Sequence, residues 1–280
     1  MKVIHYKQIV NAVKELCMTA NYDLGNDVEQ AFKKFYNTEA SETGKNIIQQ
    51  LIENAEIARS ESSPMCQDTG AAVIFIEVGQ DAQFTGGYIE DAINEGVTQG
   101  YAEGYLRKSM VKHPWNRVNT GDNTPAIIHT KMVPGNNLKI TVAPKGGGSE
   151  NMSAVKMMVA ADGLEGIKNF IIEQVVKAGP NPCPPIIVGV GVGGNFEKCT
   201  LLAKEALLRP IGSINQDAEL QALEEELLES INKLGIGPQG LGGTTTALAV
   251  HIKVYPCHIA SMPVAININC HASRHKSVTL

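Results

Sequence analysis

Most of the reactive chemistry in this sequence lies in six cysteines, at positions 17, 66, 183, 199, 257 and 270. A thiolate is both a nucleophile and a soft metal ligand. No two of them form a Cys-x-x-Cys pair, and the only nearby histidines are the directly adjacent His258 and His271. Zinc-finger, zinc-ribbon and thioredoxin spacings are therefore absent. Residues 1–14 are polar and lack the apolar core of a signal peptide. The expected compartment is the reducing cytoplasm, where a disulfide framework is not expected. Cys17 continues the apolar stripe of Ile9, Val13 and Leu16 and reads as a small buried hydrophobe, as do Cys199 and Cys257. The other three have different neighbours. Cys66 sits in Pro64-Met65-Cys66-Gln67-Asp68-Thr69-Gly70, Cys183 in Gly179-Pro180-Asn181-Pro182-Cys183-Pro184-Pro185, and Cys270 follows the apolar run 264–268. Pro and Gly stop a helix or central strand through the first two segments. Loop thiols held by a scaffold could converge on one metal centre.

Further groups cluster by type. Asp68, two residues after Cys66, is the carboxylate best placed for acid–base work. Lys145-Gly146-Gly147-Gly148-Ser149 joins a cation to a backbone free to aim N–H groups at an anion; a flexible loop reads equally well. Arg107 offers a planar donor to a carboxylate, or serves as the partner of a helix end. Gly189-Val190-Gly191-Val192-Gly193-Gly194 fits GxGxxG after a strand and before a helix. No second strand follows that helix directly, so close backbone packing is the better reading.

These groups need elements to hold them. Helices are predicted over 3–19, after Ser41 as N-cap, over 88–109, 163–178, 195–207 and 216–234. The third carries Gly96, Gly100 and Gly104 at four-residue spacing, which calls for a very close neighbour. Strands are predicted over 71–78, 186–192, 245–255 and 264–268, with 126–133 and 138–143 as a hairpin across Pro134-Gly135-Asn136-Asn137. The mixture without strict alternation predicts an α+β fold, mixed sheets with packed helices, as one domain over 1–280. Lys and Arg number 24 against 29 Asp and Glu, a net charge of −5 that argues against a nucleic-acid partner. No run approaches ~18 apolar residues, so no membrane span is expected.

Taken together, Cys66-Gln67-Asp68-Thr69-Gly70, Leu106-Arg107, Val118-Asn119-Thr120-Gly121, the Lys145–Ser149 glycine run, Pro182-Cys183-Pro184-Pro185, and Cys257-His258 through Cys270 resemble the alpha subunit of class I, iron–sulfur fumarate hydratase and its relative L-tartrate dehydratase. The resemblance spans about residues 40–275 in matching order and spacing. It implies that Cys66, Cys183 and Cys270 ligate a 4Fe–4S cluster with one open iron acting as a Lewis acid. It implies substrate contacts from Gln67, Asp68, Arg107, Lys145, Gly146, Gly147 and Gly148, with Asp68 and His258 as catalytic proton carriers. Single-chain members continue into a second domain that completes the site. The resemblance therefore implies half a site here, completed by a separate beta subunit in an α2β2 assembly that is oxygen-sensitive and cytoplasmic. The expected reaction is reversible hydration of fumarate to (S)-malate, a citric acid cycle step, because Lys145 before the triple glycine and Ser149-Glu150-Asn151 after it look more like fumarase than like tartrate dehydratase, and Lys145 and Arg107 suit a dianion. Alternatives are the L-tartrate dehydratase alpha subunit, a dinucleotide-dependent oxidoreductase built on glycines 189–194, and a non-catalytic assembly subunit.

Overall fold

A computed structural model describes residues 2–280. In chain order the elements are β1 (Val3–His5), α1 (Tyr6–Tyr22), α2 (Asn26–Thr38), α3 (Glu42–Glu61), β2 (Ala71–Gly79), β3 (Gln83–Thr85), α4 (Ile89–Glu103), β4 (Ile127–Val133), β5 (Leu138–Lys145), α5 (Gly147–Glu150), β6 (Ala154–Met158), α6 (Gly163–Ala178), β7 (Ile186–Gly193), α7 (Phe196–Ala206), α8 (Ala218–Asn232), β8 (Ala247–Tyr255), β9 (Met262–Asn269) and β10 (Lys276–Thr279). The mixed α+β class is as expected. The chain forms two compact units interleaved in sequence. One comprises residues up to Leu24, 54–147 and 274–280; the other comprises 25–53 and 148–273. Among the described residues, no helix is long and apolar enough to cross a membrane.

The first unit is built on a sheet of order β10-β5-β2-β4. The predicted hairpin does not form. β2 lies between β4 and β5, parallel to one and antiparallel to the other. Its apolar sequence AAVIFIEVG supplies the buried centre, and the four-residue link from β4 to β5 steps over its end, where Gly79 donates its N–H to the Asn137 carbonyl. The glycine ridge performs as expected. A Cβ on Gly96 would meet Val13 Cβ at 2.7 Å, and one on Gly100 would meet Cys17 Cβ at 2.9 Å. α1 and α4 thus approach almost backbone to backbone, and Cys17 is fully buried between them. The helix ends at Glu103 rather than 109, so Arg107 stands in the following loop and not at a helix terminus.

The second unit is a sheet of order β6-β9-β7-β8 with helices on both faces. Alternation along the strands explains the layering. Val188 and Val190 of β7, with Val264, Ile266 and Ile268 of β9, pack with Ile167, Ile171 and Val175 of α6 and Leu227 and Ile231 of α8. The intervening Gly189 and Gly191 face α7, where a Cβ would strike the Ala203 and Cys199 carbonyls. The GxGxxG glycines are therefore needed for helix–sheet contact. The strand found missing from the sequence exists: β8 lies parallel to β7 after a crossover through both α7 and α8. α2 was not anticipated, because its sequence is largely polar and buries only Val28, Ala31 and Phe32.

Candidate active site

In the first unit, the segment joining α3 to β2 carries Cys66, Gln67 and Asp68 on a tightly bonded loop. The Cys66 thiol is half-buried and accepts the Asp68 N–H at 3.4 Å. Gln67 is exposed, and Cys66 Sγ donates to its Oε1 at 3.4 Å. The Asp68 carboxylate accepts two main-chain N–H groups, Gly70 at Oδ1 (3.0 Å) and Gly147 at Oδ2 (2.8 Å). Gly146 lies against the same carboxylate; a Cβ there would sit 3.2 Å from Oδ2. Gly70, at φ +77°, packs on the Lys145 main chain so closely that any side chain would collide with it. The glycine run is thus the seat of Asp68, and its residues 147–150 form one helical turn.

The inner side of this loop is held by buried donors. Tyr101 Oη donates to the Thr69 and Gly70 carbonyls at 2.9 and 3.0 Å. Burial, ahead of neighbouring charges, pushes that phenol above its ordinary pKa, so it stays protonated as a donor. Asn123 Nδ2 donates to Gly70 O, while its Oδ1 accepts Ser109 N and Met110 N. Thr69 Oγ1 donates to Arg107 O, which ties the exposed Arg107 to the Asp68 loop. Arg274 Nη2 donates to Asp68 O. None of Tyr101, Asn123 and Arg274 stood out in the sequence. Their signal is burial of a polar group, which sequence spacing does not carry.

In the second unit, Cys183 and Cys270 belong to one loop cluster. Antiparallel pairing of Ile187 with Asn269 brings the start of β7 to the end of β9. His271 donates its N–H to the Cys183 carbonyl at 3.2 Å. Gln239 bridges the cluster, its N and Nε2 both donating to Pro184 O and its Nε2 lying 3.1 Å from His271 Nδ1. Cys183 is exposed and held at φ +55°. Left-handed backbone is uncommon for a side chain of this kind and gathers at functional sites. Gly148 belongs here too, with a Cβ position 3.6 Å from Asn181 O in the Cys183 loop.

Lys145 adjoins the Gly70 turn through its main chain, whereas His258 lies away from the Cys183 loop. Lys145 is buried at the end of β5, opposite Ala71. His258 is exposed in the β8–β9 connection, where its Nδ1 accepts the Ala260 N–H. That connection follows Tyr255, which pairs with Gly193, the last residue of β7. Cys183 precedes the first. The eight residues of β7 therefore separate His258 from Cys183 and Cys270, roughly 25 Å of strand. Among the described residues, no group of three or more His, Cys, Asp or Glu side chains is gathered closely enough to hold one metal ion. The donor chemistry nevertheless suits a thiolate-bound cluster. Cys66 has an N–H donor at sulfur and Cys183 is solvent-reachable, whereas Cys17 and Cys199 are sealed in helix–helix and helix–sheet packing.

The first unit holds a carboxylate on two main-chain N–H groups and the second holds two loop-borne thiols, groups of the kinds used in acid–base and metal-dependent chemistry. The sequence model of the fumarate hydratase (Fumerase) family matches residues 10–279, and the chain belongs to that family. It is a hydro-lyase of the class I fumarate hydratase and tartrate dehydratase alpha type. A protein of Methanocaldococcus jannaschii, provisionally named L(+)-tartrate dehydratase subunit alpha, is 45% identical over 273 residues, 95% of each chain. The L(+)-tartrate dehydratase subunit alpha of Escherichia coli K12 is 32% identical over 278 residues, covering 96% of this chain and 90% of its own.

Proposed function

We propose that this chain is the alpha subunit of an iron–sulfur L(+)-tartrate dehydratase, completed by a separate beta subunit. The observation that carries the reading is the 45% identity spanning 95% of both this chain and a relative bearing that name. It moves the preferred substrate from fumarate, favoured by the Lys145 loop, to tartrate. Hydration of fumarate to (S)-malate is the second reading, supported by the family model. Both substrates are C4 dicarboxylates that exchange water at a carbon next to a carboxylate, so one site serves either chemistry.

Cys66, Cys183 and Cys270 would hold a 4Fe–4S cluster, which when bound supplies a Lewis-acidic iron that polarises the substrate hydroxyl. Asp68 carries the proton that leaves with that hydroxyl as water. Its two N–H partners fix the carboxylate plane, and each oxygen keeps a lone pair for the substrate side. Arg107 offers a forked donor to one substrate carboxylate. Gln67 is a second contact by virtue of its exposed amide, and Lys145 adds positive charge behind the glycine run. Gly146, Gly147 and Gly148 let a dianion approach the main chain. His258 enters through the family resemblance alone. We further read residues 1–280 as one alpha-subunit domain, working in the cytoplasm as part of a heterotetramer.

The test is anaerobic reconstitution of this chain with its beta subunit, iron and sulfide, followed by parallel assays on L-tartrate and (S)-malate. Faster turnover of tartrate supports the first reading, and faster turnover of malate the second. Inactivity on both defeats the two together. The chain alone is expected to bind a cluster and to turn over neither substrate well.

A further inference from the structure

Three buried donors grip the inward-facing carbonyls of Asp68, Thr69 and Gly70, and one of them differs in kind. Tyr101 and Asn123 are neutral, and their hydrogen bonds satisfy them. Arg274 is a cation, only 5% exposed. Its Nη2 donates to the Asp68 carbonyl, while Nε and Nη1 have no hydrogen-bond partner among the described residues. A buried guanidinium ordinarily faces a carboxylate, because a lone charge in a low-dielectric interior is costly. Arg274 has none within ion-pair range among the described residues and instead binds a neutral carbonyl. If holding the loop were the whole task, a neutral donor such as the neighbouring Tyr101 or Asn123 would do it at lower cost.

The charge has a use on the far side of the loop. Inward-turned carbonyls leave the Cys66 sulfur and the Asp68 carboxylate for the outer side, where Gly70 and Gly147 present N–H groups to Asp68. We infer that Arg274 is the positioning residue of the active-site loop: it fixes the Asp68 main chain, and so the aim of its carboxylate, and sets positive charge beneath a site that takes anions. Coulomb attraction across a few ångströms of protein is weakly screened. The activity part of this inference rests on the hydro-lyase reading above; the positioning part does not.

The test compares Arg274→Met with Arg274→Lys. In the chain alone, hydrogen exchange of the Gly70 and Gly147 amides, which donate to Asp68, is expected to quicken about tenfold or more in the Met variant and less in the Lys variant. Amides of α1 and α4 serve as the internal control and stay unchanged. In the reconstituted pair, kcat is expected to fall by about 100-fold for Met with little change in KM, as for a misaimed catalytic group. Lys should recover about tenfold of that loss by restoring charge without the planar fork. Wild-type exchange at Gly70 and Gly147 in the Met variant overturns the positioning role. Wild-type kcat in a Met variant that exchanges faster overturns the catalytic consequence. A wild-type pair inactive on both dicarboxylates fails the hydro-lyase reading, and the exchange result still decides the positioning.

Discussion

Gly147 donates its main-chain N–H to Asp68 Oδ2 at 2.8 Å across 79 positions of sequence. The bond joins two segments that look independent in the sequence, a thiol loop and a glycine run. With Gly70 N–H on Oδ1, it leaves the carboxylate no freedom to rotate. Asp68→Asn would turn an amide N–H₂ toward one of these N–H donors. The variant is expected to fold with a modestly lowered Tm and to lose about 10²- to 10⁴-fold in kcat, the usual range for a positioned acid–base group. Steady-state assays of the reconstituted pair beside thermal melts check this. Near-normal kcat would remove Asp68 from the chemistry.

Burial sets Cys17 and Cys199 apart from the proposed ligands, whereas Cys257, expected as a buried hydrophobe, is exposed and its thiol donates to Ser261 O. Ser at position 66, 183 or 270, one at a time, should abolish the broad visible absorption that develops on anaerobic reconstitution. Cys257→Ser, at an exposed site, should leave it intact. Cys17→Ser should keep the cluster but lower Tm, since Cys17 is completely buried, its thiol pushed up to about 12 by burial alone, and a hydroxyl costs more to bury than a thiol. Retention of the absorption in any of the first three removes that residue from the ligand set.

The α1–α4 ridge makes a stability prediction of opposite sign to helix propensity. Gly100→Ala should gain about 1 kcal/mol in intrinsic helix preference. Its new Cβ would lie 2.9 Å from both Cys17 Cβ and the Lys14 carbonyl, so the helices must part. Overpacking of this kind costs about 1–3 kcal/mol. Net destabilisation in urea is expected, and a stabilised variant would mean that the helices yield easily.

His251 gives the second unit a pH dependence. It is 2% exposed in β8, and burial first, then the Arg209 charge, depresses its pKa from 6.5 to about 4. Between those values the unfolded chain binds a proton that the folded chain does not. Its contribution is therefore complete above about 6.5 and is lost as pH falls toward 4, on the order of 3 kcal/mol in all. Urea unfolding at stepped pH should show this slope in the wild type and a flatter one in His251→Gln. Equal slopes would assign the acid sensitivity to other groups.

What the sequence revealed and what it hid follow one physical division. Gly96, Gly100 and Gly104 were legible because a four-residue repeat is local and has one structural use, close approach on a helix face. Cys17 was legible from the apolar stripe it continues. The β4–β5 hairpin misled because a short link between two strands says nothing about a third strand inserting between them, as β2 does. Of the candidate residues, Cys66 and Asp68 in the first unit and Cys183 in the second were visible from their motifs, and the side chains that support their loops were not. Arg274 sits in Ser273-Arg274-His275 with no pattern around it, and only its burial against Asp68 gives it a role. Sequence also offered His258 beside Cys257 as a site residue, whereas the strand order puts it at the opposite end of β7 from Cys183.

The interleaving of the two units bears on synthesis. The first unit begins with β1 and α1 but needs residues 274–280, which bring Arg274 and the edge strand β10 to β5. A chain emerging from the ribosome can therefore assemble 25–53 with 148–273 before the Asp68 loop receives its last support. The Asp68 loop should be the final piece to gain protection from proteases during translation, and a nascent chain stalled before residue 274 should remain open to cleavage between Cys66 and Gly70.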